Sequence, residues 1–180
     1  KGLPESGLTS TISESDNGIR VAKHTRIYAI LVDYRNFILS LPEEQKKIRD
    51  LRTIESIIRE RGESIIRFAF AFVPHHEVGR VSIQMLSNVY HYDVIVCPQQ
   101  VGQGAIKDAD TVDARMERLA RQIIPQVTDI VIVSGDADFH RLVVDAWRYG
   151  KDVMVISGSQ ALSSRFRELE GIAGITIKEL

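Results

Sequence analysis

From residue 26 onward, short continuous apolar runs alternate with longer stretches whose apolar residues recur at helical spacing. Ile27–Val32 is apolar throughout, the pattern of a strand covered on both faces. Ser64–Val73, Asp93–Cys97, Asp129–Val133, Asp152–Ile156 and Ile175–Ile177 read as further strands. Between them lie helical patterns. Ser40 is placed to cap a helix with Pro42 and Glu43 in its first turn, a stripe at Ile48, Leu51, Ile54 and Ile58, and Gly62 as its stop. A second helix is expected from about Val78 to Val89, with Val81, Met85 and Val89 on one face. Asp110 is placed to cap a third, with its stripe at Val112, Met116, Leu119 and Ile123. Phe139–Tyr149, ended by Gly150, and Gln160–Leu169 complete the set. This alternation predicts an α/β fold of three layers around a mostly parallel sheet.

Residues 1–24 carry Gly, Ser, Thr and acids without periodicity and read as a tail or linker, leaving 25–180 as one domain. Residues 98–109 form a long loop with Gly102 and Gly104, a candidate substrate-facing segment. With 44% hydrophobic and 26% charged residues, the chain has an ordinary globular composition. A net charge of −1 gives no bulk attraction to nucleic acid, so any such contact must be local. The single Cys97 excludes an internal disulfide and a multi-cysteine zinc site, and closing an apolar run it reads as a buried thiol. No apolar run approaches the ~20 residues of a membrane helix, and no secretory signal is visible. An intracellular, cytoplasmic protein is the expectation. The first residue is Lys, which reads as a fragment or a processed chain.

The chemistry concentrates where strands end. Val131–Val133 runs into Ser134-Gly135-Asp136-Ala137-Asp138-Phe139, and Ile27–Val32 ends in Asp33 with Asn36 three residues on. Open α/β sheets bind ligands at the carboxyl ends of their strands. Asp110 and Asp113, three apart at a helix start, can point the same way. Converging carboxylates repel one another unless a cation or protons neutralise them, and oxygen donors without Cys or His favour Mg²⁺ or Mn²⁺. Such a site suits phosphodiester hydrolysis. Each acid alone also has a plainer reading, Asp110 and Asp138 as helix caps and Asp113 as a first-turn acid. Asp33 has none, because no helix is expected before Leu41. Arg35, Lys107, Arg115 and Arg141 are candidate phosphate contacts, with Arg118 and Arg121 extending a stripe on the helix of Arg115. Tyr34 is a candidate for stacking on a base. A dinucleotide fold is excluded, since no Gly-x-Gly-x-x-Gly follows the first strand. A phosphatase of the haloacid-dehalogenase type would need Asp-x-Asp there, and the chain has Asp33-Tyr34-Arg35.

Several of these pieces together resemble the NYN domains, in particular the LabA-like branch, within the PIN-like nuclease group. The resemblance is carried by Val32-Asp33-x-x-Asn36, Lys107-x-x-Asp110, Val133-Ser134-Gly135-Asp136-x-Asp138-Phe139, Gly150-Lys151-x-Val153 and Ala161-Leu162-Ser163-Ser164-x-Phe166. It implies a PIN-like parallel sheet in the order 3-2-1-4-5, which makes the first and fourth strands neighbours. It also implies Mg²⁺- or Mn²⁺-dependent cleavage of RNA. Asp33, Asp110, Asp136 and Asp138 would be the acidic set, and either Asp110 or Asp113 the third metal ligand. Asn36 and Ser134 would orient ligand, metal or a coordinated water, beside Lys107, Arg35 and Arg115 as the substrate contacts read above. A different class of function is a catalytically weak regulatory module that binds RNA or a protein. The charged helix over 45–61 is long enough to serve as an interface, in a homodimer or with a regulatory partner.

Overall fold

β1 (Arg26–Asp33) is buried from Tyr28 to Asp33, because a strand with apolar residues at every position must be covered on both faces. It sits inside a sheet with β2 (Ser64–Pro74), β3 (Asp93–Cys97), β4 (Asp129–Val133), β5 (Asp152–Ser157) and β6 (Ile175–Glu179). The order is β3-β2-β1-β4-β5-β6, and every neighbouring pair is parallel. The structure, a computed structural model, describes residues 25–41, 51–79, 83–98 and 111–180. The expected order is therefore present, extended by β6 beside β5.

Alternation along the strands feeds two cores. Tyr28, Ile30 and Val32 point to the face covered by α1 (Tyr34–Ser40), α2 (Arg52–Arg59) and α3 (Ile83–Asn88). Ala29 and Leu31 point to the other, which is covered by α4 (Val112–Ile123), α5 (His140–Arg148) and α6 (Ser164–Arg167). The chain crosses on one face on its way from β1 out to β3 and on the other from β3 back through β4 to β6. The order of strands reverses between β1 and β4, so the crevice at their carboxyl ends is the topological switch point. Among the described residues, no helix is long and apolar enough to cross a membrane.

The helices depart from expectation at their ends. The main correction is α1, which begins directly after Asp33, and Asp33 is its N-cap. The reason is a short stripe, Tyr34, Phe37 and Leu41, buried at i, i+3 and i+7. Ser40, expected to open a helix, closes α1 instead. Its hydroxyl donates to the Phe37 carbonyl at 2.7 Å and accepts the Gly158 N–H at 3.1 Å. Pro42, Glu43 and Ile48 lie outside the described residues, as do residues 45–50 of the expected 45–61 interface. In α3 the face read as core points outward: Met85 and Val89 are 43% and 47% exposed, and Leu86 is the buried anchor. Val81 lies outside the described residues. The helix expected over 160–169 shrinks to α6, because the chain from Gly158 to Ser163 is drawn against the β4 turn. Thr111, not Asp110, caps α4, accepting the Ala114 N–H at 3.2 Å.

At the amino ends of the strands, Asp129 is buried yet well partnered. Its carboxylate receives Arg26 at 2.6 Å, the Thr128 hydroxyl at 2.7 Å and Arg61 at 4.0 Å, while Arg26 also reaches Asp152 at 3.0 Å. This cluster ties β1, β4 and β5 to the turn before β2. We expect Asp129→Ala to lower stability on the order of 2 kcal/mol, because it strands several donors at once. Urea unfolding checks this, and a loss within about 0.5 kcal/mol, typical of surface changes, would count against it.

Candidate functional site

Asp33 is held at the end of β1 by its capping role: its Oδ1 accepts the Asn36 N–H at 3.1 Å. The side chain of Asn36 then reaches across to the next strand, where its Oδ1 accepts the Gly135 N–H at 3.0 Å. One residue thus joins the turn after β1 to the turn after β4. Val32 and Val133 are partners in the β1–β4 register, so Asp33 and the Ser134–Asp136 turn leave the sheet side by side. Ser134 is fully buried, and its hydroxyl accepts the Asp136 N–H at 3.2 Å. Asp136 in turn accepts the Asp138 N–H at 3.0 Å and caps the short turn Ala137–Phe139. Gly135 has no room for a side chain, since a Cβ there would collide with the Ala161 carbonyl and the Ser157 hydroxyl. Its own carbonyl accepts the Ser163 N–H at 3.0 Å. The acidic turn is thereby clamped from both sides.

Electrostatics show which acids share this space. Burial pushes the Asp33 carboxyl up to about 6; Asp113 and Asp136 add to the rise, while the Asn36 N–H and Arg35 oppose it. Burial likewise raises Asp113 to about 6, with Asp136, Asp138 and Glu117 adding to it. Asp113, in the first turn of α4, therefore belongs to the same negative field as Asp33, Asp136 and Asp138. Asp110 and Lys107 lie outside the described residues. Glu117, one turn beyond Asp113, escaped the sequence reading; its i, i+4 position relative to Asp113 was the available signal. Its carboxylate also meets Arg121 at 3.4 Å.

The cations are spread around this field. Arg35 is half exposed at the rim, with Nε 3.8 Å from Glu77 and Nη1 3.3 Å from His76. Neither of those two partners was anticipated. Both follow the carboxyl end of β2, which the register places beside β1. Arg115 donates to the Val96 carbonyl at 3.2 Å, toward β3. Arg141 pairs with Asp145 at 3.7 Å within α5. Tyr34, a candidate for base stacking, is buried in the core, because α1 turns it inward. Cys97 is buried, as expected.

An all-oxygen donor set in which burial and neighbouring carboxylates raise Asp33 and Asp113 fits a hard divalent cation in its chemistry. Among the described residues, no three His, Cys, Asp or Glu side chains are grouped closely enough to hold a metal ion as they stand.

Comparison with known proteins adds the family. The NYN domain family matches residues 28–170, spanning β1 through α6. The chain belongs to the NYN domain family. NYN domains are PIN-like nuclease domains, which accords with the parallel sheet and its acidic switch point. A crystal structure of a protein of unknown function from Vibrio parahaemolyticus RIMD 2210633 is similar in fold. Its TM-score is 0.66 at 22% identity, over 88% of this chain and 95% of the other. No curated protein matches the sequence.

Two predictions test this NYN site. Because the folded pKa of Asp33 lies above its unfolded value, the folded protein retains protons between about pH 4 and 6 that the unfolded chain has released. In EDTA, stability should fall as pH rises through that window. Asn caps helices as well as Asp does, so Asp33→Asn should raise stability at pH 7.5 by on the order of 1–2 kcal/mol and flatten the decline. Urea unfolding at pH 5 and 7.5 measures this; a less stable variant at pH 7.5 would overturn the electrostatic account. Asn36→Leu should instead destabilise by about 1–3 kcal/mol, by leaving the buried Gly135 N–H without its acceptor. Thermal melts of the variant beside wild type decide the point.

Proposed function

We propose that this NYN domain, read as a member of the LabA-like branch, is a metal-dependent endoribonuclease acting in the cytoplasm. What supports the reading most is the pairing of Asp33 and Asp136 at the switch point between β1 and β4, joined through Asn36. Asp33, Asp136, Asp138 and Asp113 would hold Mg²⁺ or Mn²⁺, with Asp110 as a further donor. A divalent cation there would supply the charge that lets water attack a phosphodiester and that steadies the departing oxygen.

The chain's own residues do the positioning. Asn36 and Ser134 hold the two acid-bearing turns in place through their backbone contacts. The raised pKa values of Asp33 and Asp113 favour cation binding once both are ionised, and they make that binding weaken as pH falls through about 6. Arg35, Arg115 and Lys107 offset the acids toward a polyanion, which a chain of net charge −1 requires of local groups.

The test is cleavage of labelled single-stranded and structured RNA with Mn²⁺, Mg²⁺ or EDTA. Cleavage is expected with metal only. Asp33→Asn and Asp136→Asn should each lower it by at least roughly 100-fold, beyond what outer-shell partners of a metal usually contribute. Wild-type protein that retains RNA without cutting it would favour the regulatory module instead. Full activity in either variant would sink the assigned site.

A further inference from the structure

Beside the acids, on the face covered by α4, the surface opens into a shallow groove of about 200 Å³. Arg115, Arg118, Leu119 and Gln122 form its helical wall, with Phe72 and Ile95 from the sheet beneath. The spacing 115, 118, 119, 122 is i, i+3, i+4, i+7, one continuous face of the helix. Asp113 starts that same helix, so the groove begins one turn from an acid of the site. The register fixes the other direction: Asp33 pairs with Phe72, and Phe72 with Ile95. Two strand spacings separate Asp33 from Ile95, about 10 Å at ~4.8 Å per strand.

The walls have a mixed chemistry. Ile95 and Leu119 are half-buried and apolar, while Phe72 lies fully buried below them. The Arg115 guanidinium is fixed against the end of β3 by its bond to Val96, and Arg118 is exposed at the rim. An apolar floor beside a helical wall that carries two arginines suits a flat, apolar ring attached to an anionic backbone. Arginine both stacks on such rings and binds phosphate.

Resting on the nuclease reading above, we infer that this groove seats an unstacked base of single-stranded RNA next to the scissile phosphate, with Arg118 on the adjoining phosphate. Duplex RNA cannot use the seat, because its bases are stacked and turned inward. The groove, not the acidic centre, then selects single strands.

The experiment measures binding of a fluorescent single-stranded RNA oligonucleotide in EDTA, where no turnover occurs, across a salt series. Arg118→Glu should weaken binding about tenfold and lower the salt slope by roughly 1. Gln122→Lys adds a cation on the same wall and should strengthen binding about threefold, with a steeper slope. Wild-type affinity in both variants would overturn the inference, as would an equal loss for a duplex of the same sequence. Circular dichroism melts control for folding. Metal-dependent cleavage by wild type is assayed in parallel. If wild type cleaves and Arg118→Glu binds normally, the groove assignment alone falls. If wild type neither binds nor cleaves RNA, both readings fall.

Discussion

The bond from the Gly135 N–H to Asn36 is the constraint on which the rest of the site depends. The parallel sheet brings β1 and β4 together, but sheet pairing stops at Val32 and Val133, short of the acids. Beyond that point each turn would follow its own loop geometry. Asn36 couples them, because its backbone N–H holds Asp33 and its side chain holds Gly135. On the far side, Ser163 and the chain near Ala161 press against the same glycine, which only a residue without Cβ accommodates. Asp136 is therefore set by two contacts outside its own strand. A short helix with a polar third residue does the work that a longer hydrogen-bond ladder does elsewhere in the sheet.

That rigidity has a cost, because it keeps like charges in proximity. Asp33 is largely buried, and Asp113 and Asp136 raise its pKa rather than relieving it. A fold selected only for stability would replace such a group or pair it with a cation. Arg35 lowers the Asp33 pKa, yet the bonds of its guanidinium run to Glu77 and His76. Burial and the neighbouring carboxylates both weigh against the ionised form of Asp33, and a bound proton relieves them.

Strand ends and their acids were legible in the sequence because buried parallel strands are continuous apolar runs, and a carboxylate at the end of one stands out. Asp33 and Asp136 were found in this way, and the structure makes them neighbours. Less was visible in the helices. The stripe that makes α1 is only Tyr34, Phe37 and Leu41, too short for periodicity to register, so the capping role of Asp33 was missed. In and just after α3, Met85 and Val89 have core character but face outward, because among the described residues of the helix Leu86 is the one buried. Asp113 was ambiguous for a different reason: its partners Asp136 and Asp138 lie far along the chain, and only the packing of α4 against the β4 turn joins them.

The two ends of the sheet form an internal comparison. Asp129 opens β4 and Asp136 follows its end, so one strand carries an acid at each extremity. Asp129 is buried and receives Arg26, Arg61 and a hydroxyl, and Arg26 extends the cluster to Asp152. Charges at that end are matched within the chain, and their role is to fasten strands. At the other end, Asp33 and Asp113 are raised by burial, with Asp136 adding to both and Asp138 to Asp113, and no comparable arginine is aimed among these acids in the described residues. Asp129 and Asp33 lie at similar depth, yet Asp129 is satisfied within the chain while Asp33 faces other carboxylates. Burial alone does not account for the difference, since Asp129 is at least as buried as Asp33. The deficit at the switch point is what the proposed cation would fill.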